Sequence, residues 1–334
     1  MSLSTVNCQL STEGIWRLTM PLPFALDHIN LWLIEDGEGF TLVDTGYGDE
    51  ATRTIWREVE NTMLATRPLR RIIVTHYHPD HAGNAQWLAQ RFDVPVAMSA
   101  GEYLTGHAVL AQAAGYGVED SCALFMAHGV DGDYLDAMRQ RGNRYRAGVP
   151  EFPSRHRRIY PNDAIAIGGR RWHVIPGYGH SPDHVALHDP QGRVLISGDM
   201  LLPRISTNVS VWPSDPESDA LGRFLDSLRA FEPLPDDTLV LPSHGEPFRG
   251  PRARVTQLRE HHAARLAELL DAVHGNDAPM SAAELVPILF KRKLDVQQRF
   301  FAVGEAIAHL NHLVAQRKLE RRLEGGSIRF APWS

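Results

Sequence analysis

The sequence predicts a layered α/β fold with a helical insertion and a helical C-terminal segment. Three observations support this prediction: strand-like and helix-like segments alternate in the first hundred residues, residues 102–162 interrupt that alternation, and the composition shifts at about residue 251. Of the 334 residues, 43% are hydrophobic and 22% are charged, which excludes a disordered, coiled-coil or collagen-like chain. A chain of this length can bury one large core and a smaller one.

The first hundred residues alternate between strands and helices. Runs rich in β-branched and aromatic residues predict strands at 14–20, 30–35, 40–44, 71–75 and 94–99. The pairs Asp36-Gly37 and Glu38-Gly39 predict a turn between the second and third of these strands. Good helix formers with apolar residues at helical spacing predict helices at 50–65 and 82–91. This alternation favours α/β layers over an all-β barrel.

Residues 102–162 form the predicted insertion. They lack strand signals and contain helical stretches at 108–114, 119–127 and 132–141. We expect the insertion to lie over the functional site as a lid, with apolar side chains that would suit an acyl chain or an aromatic group: Tyr103, Tyr116, Phe125, Met126, Tyr134 and Met138. Trp212 is a further candidate for this lining. The equal alternative is that these side chains pack the insertion onto the domain or form a dimer contact.

Strand signals return after the insertion, and the chain then becomes helical. Strands are predicted at 164–167, 171–175, 185–188, 194–197 and 239–241. From residue 251, one long amphipathic helix is predicted from apolar positions three and four residues apart: Val255, Leu258, His262, Leu266, Leu269 and Val273. Ser281 and Glu284 have capping-box spacing, and a further helix is predicted at 297–317. A hairpin at 319–323 and 327–331 completes an arrangement typical of a winged helix.

A winged helix raises the question of nucleic-acid binding. Residues 281–334 contain nine Lys and Arg against five Asp and Glu, whereas the whole chain has a formal charge of −6. A basic wing can bind duplex DNA. However, the helix at 297–317 is largely apolar, which favours a helix that faces the core or a homodimer contact. Nucleic acid is therefore the weaker prediction for a partner, although it is not excluded, and a small-molecule substrate is the stronger one.

Cysteine usage and hydropathy limit the class of protein further. Cys8 and Cys122 are far apart and have no CxxC spacing, which excludes a disulfide scaffold and a thiolate zinc site. Residues 1–14 lack the pattern of a targeting segment, and no apolar run approaches the roughly 20 residues needed to span a bilayer. The expectation is a cytoplasmic protein without a membrane partner.

The decisive motif lies at residues 75–81, THYHPDH. It places three imidazoles and one carboxylate immediately after a predicted buried strand. His76 and His78 can point to one metal ion, whereas Asp80 and His81 can turn towards a second. Imidazole and carboxylate ligands suit Zn²⁺ and related borderline ions.

Three later residues can complete such a site. His180, Asp199 and His244 each follow a strand signal and have a glycine next to them in the chain. Loops at the same edge of a sheet converge in α/β folds, and glycine permits the tight turns that such loops need. The sequence therefore predicts that these residues meet the 75–81 loop.

At this point the chain resembles the metallo-β-lactamase superfamily, in the hydrolase branch that carries the HxHxDH motif and includes glyoxalase II-like enzymes. The resemblance covers roughly residues 10–250 and includes the Asp44-Thr45-Gly46 turn. It implies a four-layer αββα sandwich, with a catalytic domain at 1–250, the insertion at 102–162 and a winged-helix-like domain at 251–334. Asp183 departs from the commonest form of the motif after His180, and Tyr178 is unusual beside it.

The resemblance also implies a role for each motif residue. His76, His78 and His180 would bind one divalent metal, Asp80, His81 and His244 would bind a second, and Asp199 would bridge both. Zinc is the favoured metal, with iron or manganese as alternatives. Asp44 would be a buried residue that supports the loop. His184 is interpreted as a structural residue at the start of a strand, and His28 is a weaker candidate for the cleft.

The function implied by the resemblance is hydrolysis. A hydroxide that bridges two metals would cleave an ester-like bond of a small molecule, with a thioester or lactone favoured. Asp80 and Asp199 would be the catalytic residues, because they can orient the nucleophile and assist proton transfer. The alternatives are a metal-dependent nuclease or phosphodiesterase and a non-catalytic effector-binding regulator.

Overall fold

The computed structural model describes residues 8–334 and contains two β-sheets packed face to face. The first sheet consists, in spatial order, of β1 (Cys8–Thr12), β2 (Ile15–Pro21), β3 (His28–Asp36), β4 (Gly39–Val43), β5 (Leu69–Ile73), β6 (Val96–Met98) and β7 (Arg157–Arg158). Strands β1 to β4 pair antiparallel, whereas β4 to β7 pair parallel.

The second sheet lies in the middle of the chain. Its strands are β8 (Ala164–Ile167), β9 (Arg170–Gly177), β10 (His184–Asp189), β11 (Val194–Gly198), β12 (Leu239–Pro242) and β13 (Phe248–Arg249). They are neighbours in the spatial order β13-β12-β11-β10-β9-β8. Only the β11–β12 pair of this sheet is parallel within the described residues.

Helices cover the outer face of each sheet. They are α1 (Glu50–Thr62), α2 (Pro79–Ala82), α3 (Ala85–Phe92), α4 (Ala100–Leu110), α5 (Val118–Ala127), α6 (Gly132–Arg141), α7 (Tyr145–Gly148), α8 (Ala220–Ser227), α9 (Pro251–His274), α10 (Ala282–Leu289) and α11 (Val296–Ala315). A 3-10 turn at Leu228–Phe231 follows α8, and the hairpin β14 (Leu319–Glu324) and β15 (Ser327–Pro332) ends the fold.

Three hydrophobic cores define the layers. Trp32 and Trp172 lie in the core between the two sheets. Helices α1, α3 and α4 share a second core with the outer face of the first sheet. The outer face of the second sheet shares the third core with α5, α6 and α8 and with the C-terminal helices α9 to α11. This order of layers confirms the predicted αββα fold class.

The insertion differs from its prediction at both ends. Helix α4 begins at Ala100, eight residues before the predicted start, because Ser99 caps it and accepts a hydrogen bond from the backbone N–H of Glu102. Residues 102–162 were also expected to lack strands, and this was wrong. Strand β7 pairs with β6 and returns the chain to the first sheet.

The predicted helix at 82–91 is divided by Gly83 and Asn84 into α2 and α3. The amide of Asn84 donates to the backbone carbonyl of Tyr47 at 2.7 Å, which fixes the chain between the two helices. Strand β1 and helix α8 were not predicted.

The helices and the hairpin of the C-terminal segment lie close to the positions predicted for them. The apolar positions predicted on the long helix, together with His262, are buried along α9. Ser281 and Glu284 form the capping box of α10. Gly325 and Gly326 both have positive φ and form the turn between β14 and β15, where other residues would be strained. Phe301, on the largely apolar helix predicted at 297–317, has 42% of its surface exposed.

None of the helices between residues 8 and 334 combines the length and the apolar run that crossing a bilayer requires. The predicted absence of a targeting segment at residues 1–14 concerns a stretch whose first seven residues lie outside the described part of the chain.

Two histidines are buried side by side where α9 meets α11. The ring nitrogens His262 Nδ1 and His309 Nε2 lie 3.1 Å apart, and neither residue is exposed. The Nδ1 of His309 donates to the carbonyl of Glu305, so its Nε2 accepts from His262. Burial and the neighbouring His309 lower the pKa of His262 to about 3, and burial lowers the pKa of His309 to about 4.

We expect acid to destabilise the protein through this pair. Both rings take up protons in the unfolded state below about pH 6.5, whereas the folded state keeps them neutral down to their lowered pKa values. Their contribution to stability is therefore complete above about pH 6.5 and is lost as the pH falls, at about 1.4 kcal/mol per pH unit for each ring.

The test is denaturant unfolding of the wild type and of the His262→Leu/His309→Leu variant between about pH 6 and pH 4.5. The slope of unfolding free energy against pH should be smaller in the variant, because its unfolding takes up about two fewer protons. The matched control is His274→Leu at the exposed end of α9, which should keep the wild-type slope. Equal slopes in all three proteins would contradict the expectation.

Candidate metal centre

The motif loop at residues 75–81 follows β5 and is held by Asp44, the first residue after β4. The buried Asp44 carboxylate accepts hydrogen bonds from the backbone N–H and the Oγ of Thr75, each at 2.8 Å. It also accepts one from Nδ1 of His81 at 2.8 Å. Asp44 therefore occupies the supporting position that the resemblance implies.

Three loops of the second sheet bring the remaining motif residues. His180 follows β9, Asp199 directly follows β11, and His244 follows β12. Gly198, before Asp199, has a φ of 53°, and a Cβ there would lie 2.3 Å from Nε2 of His184. Only glycine fits this turn without displacing the ring.

His184 supports the same turn. It is the first residue of β10, it is fully buried, and its Nε2 accepts a hydrogen bond from the backbone N–H of Asp199 at 3.2 Å. These contacts agree with the interpretation of His184 as a structural residue. They also connect it directly to the motif.

The structure brings all seven predicted site residues together. They form three overlapping groups whose ligand atoms lie within 4.8 Å of one another: His76, His78 and His180; His76, His81 and Asp199; Asp80, His81 and His244. In the first group, His76 Nε2 lies 2.9 Å from His78 Nδ1 and 3.1 Å from His180 Nε2. In the third, His244 Nε2 lies 3.2 Å from Asp80 Oδ2.

Asp199 faces two of these groups with different oxygens. Its Oδ2 lies 3.5 Å from Nε2 of His180. Its Oδ1 lies 3.6 Å from Nε2 of His81 and 3.7 Å from Nε2 of His244. One carboxylate therefore reaches both sides of the cluster.

Hydrogen bonds at the outer nitrogens orient four of the rings. Nδ1 of each ring faces an oxygen: Thr75 Oγ for His76, the Asp44 carboxylate for His81, the Asn208 carbonyl for His180 and the His28 carbonyl for His244. We assign the proton to Nδ1 in each case, because these oxygens accept it. In the neutral form of each ring, Nε2 then carries a lone pair that points into the cluster, as metal ligation requires.

The cluster fits a metal ion. His81 Nε2 and Asp199 Oδ1 are both buried and have no hydrogen-bond partner. Buried polar atoms are normally paired, so two unpaired atoms that face each other across the cluster indicate space for a ligand. Imidazole nitrogens and carboxylate oxygens are the donors that Zn²⁺ and related divalent ions take.

The electrostatics favour a cation in the same place. Burial lowers the pKa of His78 to about 3, with a further contribution from His180, so this ring is neutral. Burial would raise the pKa of Asp80, but His81 and His244 lower it to about 2. Burial would lower the pKa values of His81 and His244, but the neighbouring carboxylates raise both above the usual range. The ionised carboxylates that hold protons on these two rings would attract a divalent cation, which would displace those protons.

Glu102, in the first turn of α4, was missed as a residue of the site. It is fully buried, and its Oε2 accepts from the backbone N–H of Tyr77 at 3.0 Å. Its Oε1 accepts from Ser181 Oγ and from the backbone N–H of Asp183, both at 2.7 Å. One carboxylate therefore joins the His76–His78 loop to the His180 loop. The capping-box spacing of Ser99 and Glu102 could have located the helix start, but not these contacts.

The candidate lining residues of the insertion divide into two sets. Phe125, Tyr134 and Met138 are buried in the core shared with the C-terminal helices, so for them the packing alternative is correct. By contrast, the Tyr116 ring lies 6.1 Å from Trp212, which lies 6.3 Å from Tyr77, the residue between His76 and His78.

The remaining lining candidates lie apart from this row of rings. Tyr103 stacks on His156, and 57% of the Met126 surface is exposed. Tyr77, Trp212 and Tyr116 therefore form an aromatic wall beside the cluster.

The layered fold and the clustered histidines and aspartates at its strand ends define a metallo-hydrolase. The sequence matches the family model of the metallo-beta-lactamase superfamily over residues 25–244. It matches the model of the metallo-beta-lactamase-like C-terminal domain over residues 266–333. The chain therefore belongs to the metallo-beta-lactamase superfamily, and the predicted membership of this superfamily is confirmed.

Individual relatives are similar to this chain over nearly its whole length. A crystal structure of a beta-lactamase domain protein from Burkholderia ambifaria is 46% identical, with a TM-score of 0.91 over 99% of this chain and 96% of that one. A metallo-beta-lactamase family protein from Thermus thermophilus is 29% identical, with a TM-score of 0.81 over 97% of this chain and 100% of that one. The probable metallo-hydrolase YqjP of Bacillus subtilis is 24% identical over 96% of this chain and 98% of its own length.

Proposed function

We propose that this chain is a binuclear metal-dependent hydrolase that cleaves an ester-like bond of a small molecule, a thioester or lactone above others. The observation that carries the proposal is the position of Asp199, whose two carboxylate oxygens face His180 on one side and His81 and His244 on the other. A carboxylate between two groups of imidazoles is the arrangement expected of a bridging ligand.

The ligands divide between two ions. His76, His78 and His180 would hold one, Asp80, His81 and His244 would hold the other, and Asp199 would contact both. Zinc suits this donor set best, with iron or manganese as alternatives. A pair of divalent cations supplies a hydroxide nucleophile at neutral pH and polarises the substrate oxygen.

The side chains of the site then have two tasks. Asp80 and Asp199 are ionised, so they can orient the attacking oxygen by accepting a hydrogen bond from it, and they would assist the transfer of its proton. Asp44, Glu102 and His184 hold the loops that carry these groups. No serine or cysteine nucleophile is required.

The substrate class is supported by the surroundings of the site. Within the aromatic wall, the Trp212 and Tyr116 rings are partly exposed beside the buried Tyr77, and they would offer contact for an apolar group next to a reacting carbonyl. The rival function, a nuclease or phosphodiesterase, would be favoured by a basic, open groove beside the motif. A non-catalytic regulator would not need all seven ligand side chains, which are retained here.

The C-terminal segment serves the catalytic part in this proposal. We assign residues 251–334 to a winged-helix-like domain that covers the second sheet and shapes the site. The buried apolar face of α11, including Val303, Ile307 and Leu310, supports packing rather than nucleic-acid reading.

Metal removal and a substrate panel test the proposal. Protein stripped with a chelator should lose hydrolysis, and titration with Zn²⁺ should restore it at close to two ions per chain. The metal-replete enzyme is then offered thioesters, lactones, phosphodiesters and RNA. Turnover of a thioester or lactone supports the proposal, cleavage of phosphodiesters or RNA alone would replace it with the rival function, and a chain that binds no metal would overturn both.

A further inference from the structure

The carboxylate of Glu305 on α11 is hydrogen-bonded to the loop segment at residues 207–211. The amide of Asn208 donates to Oε2 of Glu305 at 3.1 Å. The hydroxyl of Ser210 donates to the amide oxygen of Asn208 at 2.9 Å. Both ends of the Asn208 side chain are therefore held, one of them by α11.

The helix is packed tightly against this segment. A Cβ at Gly304, the residue before Glu305, would lie 2.8 Å from Oγ of Ser210. Such a distance is too short for any other residue without movement of the segment or the helix. The position of Asn208 is thus coupled to the position of α11.

Asn208 in turn orients a residue of the candidate metal centre. Its backbone carbonyl accepts a hydrogen bond from Nδ1 of His180 at 2.7 Å. The opposite nitrogen of the same ring, Nε2, faces His76 and Asp199 in the cluster. A continuous path of hydrogen bonds therefore runs from Glu305 through Asn208 to His180.

The other oriented rings do not depend on the C-terminal segment. The oxygens that face Nδ1 of His76, His81 and His244 belong to Thr75, Asp44 and His28, all in the first quarter of the chain. Among the four oriented rings, His180 is the one whose support is tied to α11.

The surroundings of Glu305 disfavour a charged carboxylate. Burial in the interface raises its pKa to about 7, although Asn208 and Arg265 act in the opposite direction. A carboxylate with little water around it costs free energy unless it is hydrogen-bonded, so Asn208 is a partner that Glu305 needs in this position.

We propose that Glu305 is a positioning residue that, through Asn208, holds His180 in the orientation needed to bind a metal ion. The C-terminal segment would thereby set the metal affinity of the group formed by His76, His78 and His180. This inference rests on the proposed metal centre, and it assigns to α11 a role beyond covering the second sheet.

The experiment measures Zn²⁺ binding to the metal-free full-length chain by competition with a chromophoric chelator. Glu305→Ala and Asn208→Ala should each weaken one of the two Zn²⁺ sites by about tenfold or more. This is the loss of metal affinity expected when a histidine ligand loses the hydrogen bonds that orient its ring. The double variant should lose no more than the larger single loss, because both changes interrupt the same path. Glu305→Gln keeps an acceptor oxygen and should retain nearly wild-type affinity.

The matched control is Glu284→Ala, which removes another carboxylate of the C-terminal segment. Glu284 closes the capping box of α10 and has no contact with the Asn208 path. Glu284→Ala should lower the thermal stability of the metal-free protein but leave both Zn²⁺ affinities unchanged.

Three outcomes would overturn the inference: unchanged Zn²⁺ affinities in Glu305→Ala, additive losses in the double variant, or an equal loss in Glu284→Ala. If the wild type binds neither Zn²⁺ nor Fe²⁺ nor Mn²⁺, the proposed function fails together with this inference. If the wild type binds two ions and Glu305→Ala binds them equally well, only the inference fails.

Discussion

Replacing Asp199 with alanine is expected to reduce turnover on the order of 10³-fold or more, the upper range for removal of one preorganised electrostatic group. Asp199 is the side chain whose two oxygens face both sides of the cluster, so its loss removes a proposed ligand from each ion at once. The backbone N–H of residue 199, which His184 holds, is kept in the variant. The fold should therefore survive while the site is disrupted.

The measurement combines kcat on the substrate identified in the panel with the number of metal ions bound per chain. Both values should fall in Asp199→Ala, while the circular dichroism spectrum stays that of the wild type. Asp215→Ala is the matched control, because Asp215 is an exposed acid in the same stretch between β11 and α8. A variant with normal kcat and two bound ions would show that Asp199 is not a bridging ligand.

Replacing Glu102 with alanine is expected to lower the free energy of unfolding by about 3 kcal/mol or more, since each buried donor left without an acceptor costs about 1–3 kcal/mol. Two of the three donors that Glu102 binds are backbone N–H groups, which cannot turn to another partner as the Ser181 hydroxyl can. The cavity left by the side chain adds to the loss.

Denaturant unfolding of the metal-free protein measures this effect as a shift of the midpoint. Glu102→Gln keeps one acceptor oxygen and should lose less stability than Glu102→Ala. Glu119→Ala removes an exposed carboxylate of α5 and should leave the midpoint nearly unchanged. If Glu102→Ala and Glu119→Ala unfold at the same denaturant concentration, the joining role of Glu102 is wrong.

The layer order and the seven clustered residues could be predicted because each has a local signal. Buried strands appear as short apolar runs, and the motif residues lie where those runs end. The long helix α9 shows its buried face directly in the spacing of Val255, Leu258 and Leu266. Such patterns depend on residues close in the chain, which a single sequence contains.

Contacts between residues far apart in the chain could not be predicted from such local patterns. The early start of α4 is hidden by Gly101 and Gly106, residues that disfavour helices but are needed here for close packing. A Cβ at Gly106 would lie 2.2 Å from the Phe152 ring. In the same way, no local pattern distinguishes Glu102 and Asn208 from ordinary polar residues, because their partners lie far along the chain.

Distant contacts also explain why the sequence left the role of the insertion undecided. The apolar side chains of α5 and α6 were expected either at a substrate pocket or in a packed contact, and their sequence fits both. The structure packs Phe125 against Phe300 of α11, with ring centres 5.3 Å apart, and Tyr134 donates to the carbonyl of Val296. The partner that decides between the two alternatives lies more than 150 residues away.

The wide separation of these partners has a consequence for the growing chain. During synthesis, the 75–81 loop emerges long before His244, and the outer face of the second sheet emerges long before α11 can cover it. A partly made chain therefore carries exposed apolar surface and unpaired imidazoles at the same time. The second sheet gains its cover from α11 only after that helix has been synthesised, so we expect aggregation and capture of a wrong metal to be the hazards of the interval before that point.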